Sequence, residues 1–287
     1  MSELRTTPEP RRTLTVVIPC YNERATVLQV VERVKKLPID KFVVVVDNCS
    51  TDGTRELLRS LCRNERALWP GETIASGAPA IVGPRRMDGD GFFLVLQPRN
   101  IGKGKSFRTA LGLANSEYVI CQDADLEYNP QDIVRLVDHA KRFGSPAVFG
   151  SRLRDAARAP RGAFHVGRIA LTKIFRVLYK SDITDVATCY KLMRTDVAHG
   201  LQLESSGFDL DFEIPAKLMN RKIDIDELSI GYSPRRHNQG KKIKWRHGFL
   251  AVWTLLKFRV GHREPRAPEP RASTRFSSEE QERTPPA

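Results

Sequence analysis

Val119-Ile120-Cys121-Gln122-Asp123-Ala124-Asp125-Leu126-Glu127-Tyr128 is a short apolar run that breaks into acid. The apolar part reads as a strand buried on both faces. Carboxylates then follow at alternate positions, Asp123, Asp125 and Glu127. A strand that delivers acids at its C-terminal tip suits an open α/β sheet, whose ligands bind outside the carboxyl ends of the strands. A carboxylate pair there can hold a hard divalent cation, and that cation can neutralise a diphosphate. A strand followed by a polar turn has the same local pattern, so the flanking segments decide.

Outward from this stretch, strand and helix alternate. Upstream, β-rich runs are predicted at Leu14–Pro19, Phe42–Val46 and Phe92–Leu96. Between them, helices are predicted over Arg24–Leu37, Asp52–Leu61 and Lys105–Ala114. Val27, Val30, Val31 and Val34 have helical spacing, as do Leu57, Leu58 and Leu61. Downstream come a helix at Gln131–Arg142 and a fifth short strand at Ala147–Gly150. Apolar strands alternating with amphipathic helices predict an α/β fold, with a mostly parallel sheet and helices on both faces. Residues 64–91 interrupt the rhythm, being rich in Gly, Pro and Arg and too long for an ordinary connection. They read as an inserted loop.

The second half is less regular. Residues 164–180 and 245–260 read as basic amphipathic helices, which fit a protein lying on a membrane surface or helices packed on the sheet. Phe212–Met219 reads as a helix and Ile223–Tyr232 as a strand. Residues 13–262 form the predicted domain. Residues 1–12 and 263–287 are polar, Pro- and Arg-rich, and predicted disordered.

The chain has 287 residues and a net charge of +13, which points to an anionic partner. Its five cysteines are widely spaced with no CxxC, which argues against a zinc framework and for a reducing compartment. No apolar run approaches the roughly 20 residues that span a bilayer, and no signal region precedes the domain. The expected location is cytoplasmic, peripheral to a membrane. A nucleic-acid partner is not expected, because zinc spacing, helix-turn-helix signals and aromatic-basic strands are missing.

Other motifs fall at the same sheet edge. Asp47 and Asn48 leave the second strand where a ribose or base would sit, with Ser50, Thr51 or Asp52 capping the next helix. Tyr21 and Glu23 follow the first strand and suit base stacking and a sugar hydroxyl, or a turn with a helix cap. Asn100-Ile101-Gly102-Lys103-Gly104-Lys105-Ser106 lacks the leading glycine of a P-loop, since Arg99 stands there; a tight turn into a helix is the better reading, with its basic residues near phosphate as a secondary option. Arg152, Arg235 and Lys241 lie at predicted loop tips, where they can clamp phosphates or form a solvated basic face.

The ordered set of motifs resembles the family 2 glycosyltransferases, and within them the polyprenyl-phosphate sugar synthases of the dolichol-phosphate mannose synthase type. It runs through Val17–Glu23, Val46–Thr54, Asn100–Gly104, Asp123–Glu127, Gly150–Arg152, Thr184–Leu192 and Gly240–Ile243. The resemblance implies a GT-A fold, a nucleotide-diphospho-sugar donor of the GDP-mannose or UDP-glucose type, and Mg2+ or Mn2+. It also implies a polyprenyl phosphate acceptor and inversion by single displacement. By the same resemblance, Pro19, Tyr21, Glu23, Val46, Asp47 and Asn48 surround the nucleoside. Asp123, Ala124 and Asp125 meet the metal and diphosphate, with Glu127 a third metal ligand. Arg152, Arg235 and Lys241 face phosphates, and Asp185 orients acceptor or sugar. Many relatives carry a second Asp where Asn48 stands, end in membrane-spanning helices, and lack the 64–91 segment. A soluble or polysaccharide acceptor is the alternative; a sugar-nucleotide-binding module without catalysis is the alternative of another class.

Overall fold

The structure is a computed structural model that describes residues 12–62, 80–82, 92–154, 163–235 and 246–260. Its elements run β1 (Leu14–Cys20), α1 (Val27–Lys35), β2 (Lys41–Asp47), α2 (Thr54–Ser60), β3 (Ala80–Val82), β4 (Phe92–Leu96), α3 (Lys103–Leu111) and β5 (Tyr118–Cys121). There follow α4 (Gln131–Phe143), β6 (Ala147–Ser151), α5 (Ala163–Tyr179), β7 (Lys191–Arg194), α6 (Thr195–Gly200), α7 (Leu210–Asn220), β8 (Asp226–Ser229) and α8 (Arg246–Val260).

One sheet of eight strands has the order β3-β4-β2-β1-β5-β7-β6-β8. The segment β4-β2-β1-β5 is parallel throughout. Its strands are buried from end to end except at Pro19 and Lys41, which is what continuous Val, Ile, Leu and Phe runs require of a sheet covered twice. From β1 the chain steps outward to β2 and β4, then returns to the other side of β1 as β5. The order therefore reverses between β1 and β5, and the crevice at that reversal is where such sheets bind ligands. Cys20, Asp47 and Leu96 stand level with one another at this edge.

The amphipathic helices follow their patterns. α1 buries Val27, Val30, Val31 and Val34, and α4 buries Ile133, Leu136, Val137 and Ala140. α4 stops at Gly144, whose φ of 67° is a left-handed C-cap.

Three elements lie outside the sequence expectation. β7 runs antiparallel between β5 and β6, so the mostly parallel sheet is interrupted on its second side. α6 follows directly from β7. Of the expected 64–91 insertion, residues 80–82 form edge strand β3, antiparallel to β4; the rest falls outside the described residues, as do most of the two tails. The strand expected at 223–232 is confined to β8.

Candidate active site

The acids of the opening stretch emerge where β5 ends. Leu126 takes a φ of 64°, which turns the chain sharply after Asp125. The turn is held by the Glu127 amide, which donates to Asp125 Oδ1 at 3.1 Å. Asp123 Oδ1 lies 3.0 Å from Lys103 Nζ, and Lys103 reaches Asp211 Oδ2 at 3.3 Å. Lys191 stands 3.9 Å from the other oxygen of Asp211. These neighbours split the two aspartates. Burial disfavours the charge of Asp123, but Lys103, together with Cys189 and Arg152, outweighs it and holds the carboxyl low. Asp125 is pushed up to about 7, first by burial and then by the charges of Asp123 and Glu127. The cluster thus carries a repulsion that a cation between its oxygens would relieve. The oxygen donors of Asp123 and Asp125 suit a hard ion such as Mg2+ or Mn2+.

Glu127 is used differently. Its Oε1 accepts from the Arg235 amide at 2.9 Å, its Oε2 accepts from the Tyr232 hydroxyl, and its carbonyl accepts from the Ser233 amide at 2.8 Å. It ties the segment after β8 onto the acidic turn. Arg235 completes that tie: its Nε donates to the Asp125 carbonyl at 3.0 Å and its Nη2 meets Glu23 Oε2 at 2.6 Å. Lys241 lies outside the described residues.

At the β1 and β2 tips, Pro19 and Tyr21 are half-buried, while Val46 and Asp47 are fully buried. Asp47 accepts from Arg55 Nε at 2.5 Å and from the Ser50 amide at 3.2 Å. Asn48 donates to Asn100 at 2.9 Å and accepts from the Ile101 amide at 2.8 Å. In this arrangement Asp47 and Asn48 shape the two loops beside the crevice. Ala124 is buried, and its carbonyl accepts from the Thr26 hydroxyl at 2.8 Å.

Lys103 owes its position to close backbone packing. Gly102 has a φ of 85°, and a Cβ there would fall 2.2 Å from the Ser206 carbonyl oxygen; at Gly104 it would fall 2.5 Å from that of Ser205. The Gly-Lys-Gly turn therefore lies flat on residues 205–207 and aims the lysine into the site.

Across the site, Arg152 and Asp185 form a buried bidentate pair, at 2.7 and 2.8 Å, with the Arg152 amide adding a third bond at 3.0 Å. Asp185 is fully buried. Both its carboxylate oxygens are engaged by the Arg152 guanidinium. Burial opposes both charges, but the partner's charge, the hydrogen bonds of the pair and neighbouring groups together outweigh it, so the guanidinium rises further and the carboxyl falls. Two guanidiniums flank the Tyr232 ring, Arg152 at 5.1 Å and Arg168, from α5, at 5.3 Å. The buried Nε of Arg168 has no hydrogen-bond partner among the described residues. Burial and the nearby Arg152 weaken its hold on its proton. An anion placed between these groups would satisfy the idle donor and the repulsion together.

Sequence reasoning missed Arg168, which it grouped with a basic helix face, and Asp211, Tyr128 and Tyr232. Lys103 was seen only as a secondary phosphate option.

α5 and α8 pack side by side near this end of the site. The Tyr179 hydroxyl donates to the Leu255 carbonyl at 2.8 Å, Asn220 to that of Phe258 at 2.7 Å, and Arg259 to that of Leu178 at 2.8 Å. α8 buries Ala251, Leu255 and Phe258 but leaves Phe249, Leu250, Trp253, Leu256 and Val260 exposed. Exposed Lys173, Arg176, Lys257 and Arg259 accompany that apolar face. No helix among the described residues is long and apolar enough to cross a membrane.

Comparison with known proteins agrees with this architecture. The model of glycosyl transferase family 2 matches residues 15–201. The low-salt glycan biosynthesis hexosyltransferase Agl6 of Haloferax volcanii is 25% identical over 244 residues, covering 82% of this chain and 52% of that protein. The dolichol-phosphate mannosyltransferase of Pyrococcus furiosus is 28% identical over 242 residues, covering 79% of this chain and 59% of that protein. The chain thus spans between half and three-fifths of these relatives. Among solved structures, glucosyl-3-phosphoglycerate synthase from Mycobacterium tuberculosis with uridine diphosphate superposes with a TM-score of 0.60 at 19% identity, covering 86% of this chain and 80% of that one. The same enzyme with Mn2+, uridine diphosphate and glucosyl-3-phosphoglycerate gives 0.59 at 18% identity, covering 88% and 81%. The GT-A sheet, the acids at its switch point and a family match from β1 through α6 make this chain a member of glycosyl transferase family 2.

Proposed function

We propose that the protein transfers a hexose from a nucleotide-diphospho-sugar to a polyprenyl phosphate at a membrane surface. The observation that carries this reading is the Arg152–Arg168 pair around Tyr232, with an idle buried donor, on a helix whose neighbour exposes Phe249, Trp253 and Leu256. Such a pair fits a phosphomonoester, and the apolar, basic face beside it fits the interface where a lipid-linked phosphate is found. The relative named dolichol-phosphate mannosyltransferase supports the same acceptor class.

In this reading Asp123 and Asp125 hold Mg2+ or Mn2+ with the donor diphosphate, and Pro19, Tyr21, Glu23, Val46, Asp47 and Asn48 border the nucleoside. Arg235 and Lys241 serve its phosphates, and Glu127 positions Arg235. The bound cation supplies charge neutralisation to the departing nucleoside diphosphate. The acceptor phosphate is already ionised near neutral pH, so no strong general base is required. One of its oxygens forms the new bond to the anomeric carbon as the bond to the diphosphate oxygen breaks, and the configuration inverts. Arg152 and Arg168 hold that phosphate in line; Asp185 keeps Arg152 in place.

The test is a panel of radiolabelled nucleotide sugars with Mg2+ or Mn2+, offered polyprenyl phosphate in vesicles or a soluble phosphorylated acceptor. Label in the lipid phase is expected. Transfer to the soluble acceptor with none to lipid would overturn the lipid reading and leave the family assignment intact.

A further inference from the structure

We propose that Cys121, Cys189 and Asp123 form a site for a thiophilic divalent cation of the Zn2+ class, sharing Asp123 with the acidic cluster. Cys121 ends β5, two positions before Asp123. Cys189 comes from the loop before β7, 68 residues away, which is why no metal-ligand spacing shows in the sequence. The fold nevertheless brings both Sγ atoms and a carboxylate oxygen of Asp123 within 4.8 Å of one another. A tetrahedral zinc with bonds of about 2.3 Å to sulfur holds its two sulfurs roughly 3.8 Å apart, so side-chain adjustment alone closes the site.

Access and charge both fit. The thiols are free and buried, while the side chain of Asp123 is 24% exposed, so an ion enters from the open crevice. Binding releases the two thiol protons to solvent, and no redox change occurs. Two thiolates and one carboxylate are then balanced by the dication and Lys103, whose Nζ is 3.5 Å from Cys189 Sγ. Lys103 keeps Asp211 as a second partner at 3.3 Å when the metal takes Asp123. Thiolates select zinc or cadmium over Mg2+ and Mn2+, which prefer oxygen donors. Occupancy would remove Asp123 from the hard-metal arrangement and stop transfer. That consequence rests on the proposed function; the occupancy itself does not.

The experiment titrates the metal-free full chain with Cd2+ and follows the cadmium–thiolate charge-transfer absorption. A band saturating at one ion per chain is expected, and Cys121→Ser/Cys189→Ser should abolish it. Should the double variant fail to fold, Cys189→Ser alone is expected to lower the band and weaken Cd2+ binding at least tenfold. A parallel assay with excess Mg2+ should show inhibition by Zn2+ that a chelator reverses and that the serine variant escapes. Absence of a saturable band, or a band unchanged in the serine variants, would overturn the site. The absorption readout stands whether or not any donor and acceptor pair gives transfer.

Discussion

Asp185 is fully buried, with Arg152 as its bidentate partner. Both its oxygens are spent on Arg152, and removing one partner of a buried pair costs about 3–5 kcal/mol. Asp185→Asn is therefore expected to lower thermal stability and, through a loosened Arg152, to raise KM for the phosphate acceptor. The pair also sets a pH dependence. Because the folded carboxyl lies below its usual 3.8, its contribution is complete above that value and is lost as pH falls through the folded pKa. Unfolding curves below pH 4 should be steeper for the wild type than for Asp185→Asn. Arg168 predicts the opposite balance. It faces Arg152 with an unused donor, so Arg168→Met should leave stability unchanged or slightly raised. The same change should lower kcat/KM for the phosphate acceptor about ten- to a hundredfold, the worth of one charge-assisted bond. Asp185 sits in a loop motif that does not reveal its partner. Arg168 stands at helical spacing with the buried Thr172, Phe175 and Tyr179, which separates it from the exposed Lys173 and Arg176, but its neighbour Tyr232 is too distant in the chain to be read from that pattern.

Legibility at the level of elements depended on length and pattern. α1 and α4 show four apolar residues at helical spacing, and β2 and β4 are unbroken apolar runs, so all were visible. β7 was not: Lys191-Leu192-Met193-Arg194 is four residues with basic ends, and its buried lysine is tolerated only because Asp211 and the Thr188 carbonyl face it. The turn before α3 was half legible. Its glycines were recognised as a turn, but the reason for them is the 205–207 backbone, a contact about 100 residues away. Gly102→Ala should destabilise the fold by more than about 1 kcal/mol, since φ is positive and the carbonyl of Ser206 occupies the Cβ position. Urea denaturation measures this.

For the molecule as a whole, the sheet order places Asp123, Asp125 and Arg152 on one edge, with the α5–α8 pair beside them. Phe249→Glu/Trp253→Glu is expected to abolish co-sedimentation with anionic vesicles while the folded spectrum is retained, because both residues are exposed. Wild-type binding should weaken as salt is raised, given the lysines and arginines on that face. The three side-chain bonds that pin α8 to Leu178, Tyr179 and Asn220 have a further consequence. They fix the angle of the outer helix to the domain, so in the proposed membrane-bound state the arginine pair would stand at a constant height above the leaflet. Such a state would make the protein a gauge of headgroup height, blind to tail length: acceptors with few or many prenyl units, diluted equally into one bilayer, should be consumed at the same rate.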